Sequence, residues 1–436
     1  PGSPRLPEWF ASTTPPANFP AAPTPLRKGK TFLVGGAVRD ALLGVQEKER
    51  DWVVVGSTPE EMLEEGFKQV GASFPVFLHP TSGDEYALAR TEKKQGHGYH
   101  GFSVDFHPGV TLEEDLQRRD LTINAIARDE DGKLIDPYGG QRDLKNKVLR
   151  HVSDAFVEDP LRVLRVARFA ARFSGLGFRV HQSTLALMQE ITRSGELQHL
   201  AAERVWREIE AAMRTEKPSV FVNVLRECGA LEVLLPEVDC LFGVPQPEKY
   251  HPEIDTGVHL LMALDLAADV GKRAANVVFA VLLHDLGKGI TPRQQWPSHK
   301  GHESGGLPLV DEVCSRLKVP NAMHDLSRKV CLLHLRCHRM LEARPDAALR
   351  LLERLDAFRQ PEILPDFIAA CEADYRGRKG LQNRPYPQGD RLMNVYHAAA
   401  QIRARDLDLK GASGPEVGDR LRQARVEAIA NLPAQS

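Results

Sequence analysis

Strand periodicity in this chain stops near residue 150, and that switch limits the fold more than any other feature. Between residues 31 and 150 the runs TFLVGG (31–36), DWVVVG (51–56) and EYALAR (85–90) read as strands. VRDALLG and PEEMLEEGF read as helices between them, and strands with intervening helices predict a small α/β sheet. Beyond about Asp154, PLRVLRVARFAARF, STLALMQEI, AAERVWREIEAAM and NVVFAVLLHDL space their apolar residues at i, i+3 and i+4, as amphipathic helices do. The expected fold class is therefore α+β, a small α/β head followed by an all-helical body. Residues 1–30, dense in proline and without periodicity, are expected to form a flexible extension.

Composition narrows the class without choosing a function. The 436 residues suffice for two to four domains, and 42% hydrophobic with 27% charged residues is ordinary globular usage. A formal net charge of −2 means that any nucleic-acid contact must come from a local basic patch. The six cysteines form no C-x-x-C pair, so reduced thiols are expected rather than a disulfide framework or a zinc knuckle. No apolar run approaches the ~20 residues of a membrane span, and the first residues lack the layout of a secretory signal. The expectation is a cytoplasmic protein with no membrane partner, monomer or homodimer.

The stretch KERDWVVVGS sets Glu49 and Asp51 two positions apart at the mouth of an apolar run. On a strand, side chains two apart share a face, and two carboxylates held together call for a cation between them. Mg²⁺ prefers a few carboxylates together with phosphate oxygens. Just upstream, LVGGAVRD reads as strand, Gly35-Gly36 turn and helix start. Gly36 there allows close backbone approach to a ligand, and Arg39 offers a bidentate phosphate donor.

GGAVRD, the E-x-D pair, RRDLTINA (118–125) and EDPLRVLRVARF (158–169) together resemble the class II tRNA nucleotidyltransferases, the CCA-adding enzymes of the polymerase-β-like superfamily. The resemblance covers roughly residues 31–240. It implies that Glu49 and Asp51 hold Mg²⁺ for nucleotidyl transfer, with Glu85 of DEYALAR as a candidate third carboxylate. It assigns Asp159 and Arg162 to pseudo-pairing with the incoming base. The residue types suit that role, because cytosine and adenine each place an amino donor beside an acceptor nitrogen. Glu158, Asp159 and Arg162 are expected to open one basic helix, with Asp159 and Arg162 on one face. Arg165 and Arg168 continue its stripe toward the triphosphate, and Arg119 and Asp120 carry over as nucleotide and ribose contacts. Asn124 is expected to brace the turn. The partners implied are the 3′ end and acceptor arm of tRNA, with CTP and ATP.

A second constellation lies in the helical body. TGVHLLMALDLA, VLLHDLGKG and HKGHESG supply His259, His284, Asp285, Lys288 and His302, and HDLGK after an apolar helix resembles the HD phosphohydrolase superfamily. Asp374 of CEADYRGR is the matching later carboxylate. The expected metal ligands are His259, His284, Asp285 and Asp374, and imidazole suits Ni²⁺ or another divalent transition metal. His334 and His338 are expected to brace rather than ligate. The activity implied is 2′,3′-cyclic phosphodiesterase, 2′-nucleotidase or phosphatase action.

The expected domains are the extension (1–30), the nucleotidyltransferase head (31–150), a nucleotide-selecting and RNA-binding helical region (151–250), the HD domain (251–380) and a helical tail (381–436). A poly(A) polymerase is the nearest rival, but the tail from Leu409 to Ser436 is mixed in charge rather than strongly basic. The other rival is an HD hydrolase whose head only holds RNA, and the intact Glu49, Asp51, Asp159 and Arg162 speak against it.

Overall fold

A computed structural model of the chain describes residues 26–45, 50–70, 76–94, 102–407 and 413–433. Most of the expected extension, and Glu49 with it, lies outside the described residues. Contacts cluster the chain into two compact units, Pro1–Ala201 with Glu227–Ala230, and Ala202–Arg226 with Leu231–Ser436.

The first unit carries the strands. Its elements run β1 (Lys30–Val34), α1 (Gly36–Leu43), β2 (Asp51–Val55), α2 (Pro59–Glu64), β3 (Lys68–Val70), β4 (Val76–Leu78), β5 (Glu85–Leu88), β6 (Thr91–Lys94), β7 (Phe102–Asp105), α3 (Leu112–Gln117), β8 (Ala127–Arg128), β9 (Leu134–Ile135), α4 (Gly140–Asn146), β10 (Val148–Leu149), α5 (Arg162–Phe173), β11 (Arg179–Val180) and α6 (Gln182–Ser194). Seven strands form one mixed sheet in the order β3-β4-β5-β2-β1-β8-β9. Only β2 and β5 run parallel within it, and Asp51 stands in register with Glu85 across that pair and with Val34 across β1.

Alternation along the strands explains the layering. Phe32, Val34, Val53, Ala125 and Ala127 face one side and pack with Leu112 and Leu116 of α3. On β2 and β5, Trp52 and Tyr86 are register partners whose rings stack 5.7 Å apart. Helix α5 buries Arg162, Val163, Leu164, Val166, Ala167, Ala170 and Ala171, which leaves Arg165, Arg168 and Arg172 on the opposite stripe.

The second unit is helical among its described residues. It runs α7 (Ala202–Met213), α8 (Pro218–Glu227), α9 (Ala230–Leu234), α10 (Pro236–Asp239), α11 (Thr256–Val270), α12 (Ala275–Leu283), α13 (Leu286–Gly289), α14 (His302–Leu317), α15 (Asn321–His338), α16 (Pro345–Arg354), α17 (Ile363–Arg376), α18 (Pro387–Gln401) and α19 (Gly414–Ala430). Helix α12, ANVVFAVLL, is buried from Val277 to Leu283, as an all-round apolar helix must be. It packs against α11, α15 and α17, and each of its fully buried large side chains contributes about 2 kcal/mol. The bundle so formed brings together the ends of helices far apart in sequence. All six cysteines are free thiols, and no described helix is long and apolar enough to cross a membrane.

Two candidate active centres

In the first unit, Asp51 is the exposed first residue of β2. Its register neighbours are the exposed Glu85 and Val34, the residue just before the Gly35-Gly36 turn. Two carboxylates at neighbouring strand ends form an oxygen donor set of the kind that suits Mg²⁺. Glu49, the other expected ligand, lies outside the described residues. Gly35 has φ +67°, and a Cβ there would stand 2.8 Å from Nη1 of Arg119, so the glycine lets that guanidinium lie against the turn. Gly36 opens α1.

Behind this edge runs a network of buried charge. Asp120 Oδ1 accepts from Asn124 Nδ2 (2.9 Å) and from the Leu121 amide (2.8 Å), and its Oδ2 accepts from Arg165 Nε (2.7 Å). Burial alone would raise the Asp120 pKa, but Arg165 and these hydrogen bonds hold it below the ordinary carboxylate range. Arg39 is 3% exposed. It donates through Nε to Asp40 (2.8 Å) and through Nη1 to Asn124, and its guanidinium stands 5.1 Å from the ring centroids of both Phe169 and Phe173. Arg172 reaches Asp40 at 2.8 Å. Asn124 does brace the turn, between Arg39 and Asp120. Arg39 and Asp120, expected as direct ligand contacts, are thus turned inward.

Asp159 and Arg162 do not share a helix, contrary to the expectation. Glu158 ends a short 3₁₀ turn, Asp159 is extended (φ −111°, ψ 101°), and α5 starts only at Arg162. Pro160 is the reason, since the residue before a proline is pushed out of the helical region. The two are linked through the backbone, the Arg162 amide donating to the Asp159 carbonyl at 3.0 Å. Asp159 Oδ1 accepts from the Leu161 amide at 3.1 Å, and Arg162 donates to the carbonyls of Ala155 (2.9 Å) and Arg118. Arg165 is committed to Asp120, and the Arg168 guanidinium lies 4.3 Å from the Phe169 ring centroid. Asp115, missed in the sequence, is fully buried and holds both Arg118 (2.7 Å) and Arg119 (3.2 Å). Its signal was the acid-to-base spacing i, i+3 and i+4 in EEDLQRRD.

In the second unit, six buried residues crowd together: His259 from α11, His284 and Asp285 after α12, His302 at the start of α14, His334 from α15 and Asp374 from α17. Ligand atoms of His259, His284 and Asp374 lie within 4.8 Å of one another, and so do those of Asp285, His302 and His334. His334, expected only to brace, is therefore among the candidate ligands. Gly287 makes this possible, because a Cβ on it would stand 2.0 Å from the His302 carbonyl oxygen and drive α13 off α14.

The donor set favours a cation. His259 lies between acceptors, with Nδ1 3.1 Å from the Gly377 carbonyl and Nε2 3.0 Å from Asp374 Oδ1. His284 Nε2, both Asp285 carboxylate oxygens and His302 Nε2 are buried without a well-directed hydrogen bond, although they lie close. The separations are 3.1 Å from His284 Nε2 to Asp285 Oδ2 and 3.3 Å from His302 Nε2 to Asp285 Oδ1. Burial opposes charging His284, yet Asp285 and Asp374 push its pKa up to about 10. Burial pushes His334 down to about 3, which leaves it a neutral donor. Lys288 Nζ, 2.6 Å from Asp285 Oδ2, also donates to Gln246 Oε1 at 2.7 Å. Donor set and orphaned atoms together fit a divalent transition metal. His338 differs, donating Nε2–H to Asp374 Oδ2 at 2.7 Å while its Nδ1 meets the Tyr386 hydroxyl at 3.0 Å.

Comparison with known proteins finds matches in both units. Residues 31–150 match the Poly A polymerase head domain, residues 177–241 the probable RNA and SrmB-binding site of polymerase A, and residues 256–375 the HD domain. The multifunctional CCA protein of Thioalkalivibrio sulfidiphilus is 56% identical over 93% of this chain and 99% of its own. That of Pseudomonas fluorescens is 56% identical over 92% and 98%. Among solved structures, a CCA-adding enzyme in complex with ATP shares the fold with a TM-score of 0.63 at 21% identity, covering 92% of this chain and 86% of that one. The Thermotoga maritima CCA-adding enzyme complexed with tRNA gives 0.58 at 20% identity, covering 93% and 88%.

Proposed function

Because this chain belongs to the multifunctional CCA proteins, we propose that its first unit builds and repairs the 3′-terminal CCA of tRNA from CTP and ATP, and that its second unit hydrolyses phosphoesters. In the first reaction the terminal 3′-hydroxyl of tRNA loses its proton to solvent and its oxygen forms a bond to the α-phosphorus. The bond from that phosphorus to the bridging oxygen breaks, and pyrophosphate leaves with the electron pair. Glu49 and Asp51 would hold Mg²⁺, with Glu85 in register beside Asp51, and the bound ion would supply charge neutralisation at the α-phosphate and the leaving group. Asp51 carries this reading, for it stands at the strand mouth next to the glycine turn that receives the triphosphate.

The remaining residues bind and select. Gly36 offers backbone, and Arg119 lies against the neighbouring Gly35. Arg165 and Arg168, on the outward stripe of α5, take the triphosphate. Asp159 and Arg162 read the amino donor beside a ring acceptor shared by cytosine and adenine, where uracil and guanine carry a carbonyl in place of that amino group. Arg162 is fixed by two backbone carbonyls, so its orientation is set before the nucleotide arrives. Arg39 and Asp120 support binding from within the network, holding Asn124 and Arg165 in place.

At the second centre, His259, His284, Asp285 and Asp374 would hold a divalent transition metal such as Ni²⁺, which would supply Lewis-acid polarisation of a phosphoester. Its substrates are 2′,3′-cyclic phosphates, 2′-nucleotides and simple phosphoesters, with Lys288 as a cationic neighbour. Extension of a tRNA lacking CCA, with each nucleoside triphosphate separately and mixed, tests the first activity. Ordered addition of C, C and A is expected. An adenylate-only ladder would instead make the chain a poly(A) polymerase.

A further inference from the structure

We propose that Gln246 and His299 set the specificity of the second centre by reading a free hydroxyl on the carbon next to the esterified one. The inference rests on the reading of that centre as a phosphohydrolase and says which phosphoesters it prefers. Neither residue is among the candidate metal ligands. Gln246 is 2% exposed and His299 1%, and each keeps one polar atom without a hydrogen-bond partner, Nε2 of Gln246 and Nδ1 of His299. A buried polar group left unpaired costs free energy, so two of them side by side call for a cause.

The neighbours decide what each free atom offers. Lys288 Nζ has only protons to give, and it lies 2.7 Å from the Gln246 side chain. The amide must therefore turn its oxygen to Lys288, which leaves the Nε2 protons as donors. His299 Nε2 lies 2.7 Å from the Pro245 carbonyl, which can only accept, so Nε2 carries the ring proton. Nδ1 of the neutral ring is then an acceptor, and burial favours the neutral form. Both residues adjoin the centre. His299 is bonded to the residue before Gln246, and Gln246 reaches Asp285 through Lys288, whose Nζ is 2.6 Å from Asp285 Oδ2. Their backbones are set in advance. The Gln246 amide donates to the Ile254 carbonyl at 2.7 Å, and His299 stands at φ +46°, a left-handed pose that a non-glycine residue keeps only where its surroundings impose it. One donor beside one acceptor matches a hydroxyl, which accepts and donates at a single atom. An ionised phosphate oxygen brings no proton and cannot answer Nδ1. A phosphoester with its charge beside Lys288 would set the neighbouring hydroxyl against Gln246 and His299, as a 2′-nucleotide can with its 3′-hydroxyl.

The test removes the hydroxyl before it removes a residue. The full-length chain loaded with Ni²⁺ is given adenosine 2′-phosphate and its 3′-deoxy analogue. The kcat/KM for the first is expected to exceed that for the second by at least about tenfold, since the analogue leaves buried polar atoms unpaired. That ratio should fall toward one in Gln246→Glu, which keeps an oxygen for Lys288 but loses the donor, and in His299→Phe, which keeps a ring but loses the acceptor. The wild-type comparison decides even where a variant does not fold. A second readout needs no metal. In the metal-free chain labelled with ¹⁵N-histidine, the Nδ1 resonance absent from His299→Phe should shift with adenosine 2′-phosphate and stay in place with the deoxy analogue. Equal kcat/KM for the two substrates, a preference that survives both variants, or a resonance that responds alike to both compounds overturns the hydroxyl pocket and leaves the phosphohydrolase standing. No hydrolysis of either substrate or of a 2′,3′-cyclic nucleotide overturns the phosphohydrolase reading, and the resonance then decides the pocket by itself.

Discussion

Asp120 accepts from Asn124, from its neighbour's amide and from Arg165 while almost wholly buried. The sequence marked it as a ribose contact because RRDLTINA resembles the nucleotide-contacting motif of the CCA-adding enzymes. Nothing in RRDLTINA tells that Arg165, 45 positions later, will occupy it. Removing a buried acceptor of three hydrogen bonds, one of them from the part-exposed Arg165, costs about 1–3 kcal/mol, so Asp120→Ala should lower hydrogen-exchange protection in the 122–124 turn and the start of α5 by about 10-fold or more. The pH dependence follows from the sign of the shift. The folded pKa lies below the unfolded one, so the stabilisation is full above the ordinary carboxylate range and is lost as pH falls toward the depressed value. Wild-type protection factors should therefore decline on acidification below that range, while those of Asp120→Ala stay flat over the same window.

Among the elements, the strands β1, β2 and β5 and the helix after the glycine turn were legible because their periods are short and their breakers obvious, whereas the short strands β3, β4 and β6–β11 were not read. The boundary at Asp159 was not. Spacing alone joined Glu158 to the helix, and the local rule set by Pro160 prevailed. That boundary gives the proline a function. Pro160→Ala would let α5 grow backward and swing Asp159 out of its extended pose. A good bidentate base contact is worth about 1–3 kcal/mol of discrimination. Misaddition of UTP relative to CTP should thus rise at least about tenfold in single-nucleotide extension, with little change in circular dichroism. Gly287 plays the matching part in the second unit. Gly287→Ala forces a methyl onto the His302 carbonyl, and such overpacking costs about 1–3 kcal/mol. It should reduce Ni²⁺ retention and phosphoester hydrolysis together, as read by metal analysis and a 2′,3′-cyclic nucleotide assay.

For the molecule as a whole, the break in periodicity foretold two kinds of structure, and contact clustering divides the chain into two compact units. What it could not foretell is convergence. His259 and Asp374 meet across 115 positions, and the i, i+4 spacing of His334 and His338 does not say which of them points at Asp285. Each centre is nonetheless built from residues of a single unit. Asp51, Glu85, Asp159 and the α5 arginines belong to the first, and the histidines with Asp285 and Asp374 belong to the second. No ligand, brace or hydrogen-bond partner described for one centre is shared with the other. The two activities should therefore fail independently. Asp51→Ala should abolish CCA addition, with hydrolysis of 2′,3′-cyclic nucleotides within about twofold of wild type. Asp285→Asn, which keeps the side-chain shape but removes the charge that pairs with His284 and Lys288, should do the reverse. Loss of both activities in either variant, with the fold intact by circular dichroism, would mean that the two chemistries depend on a common element.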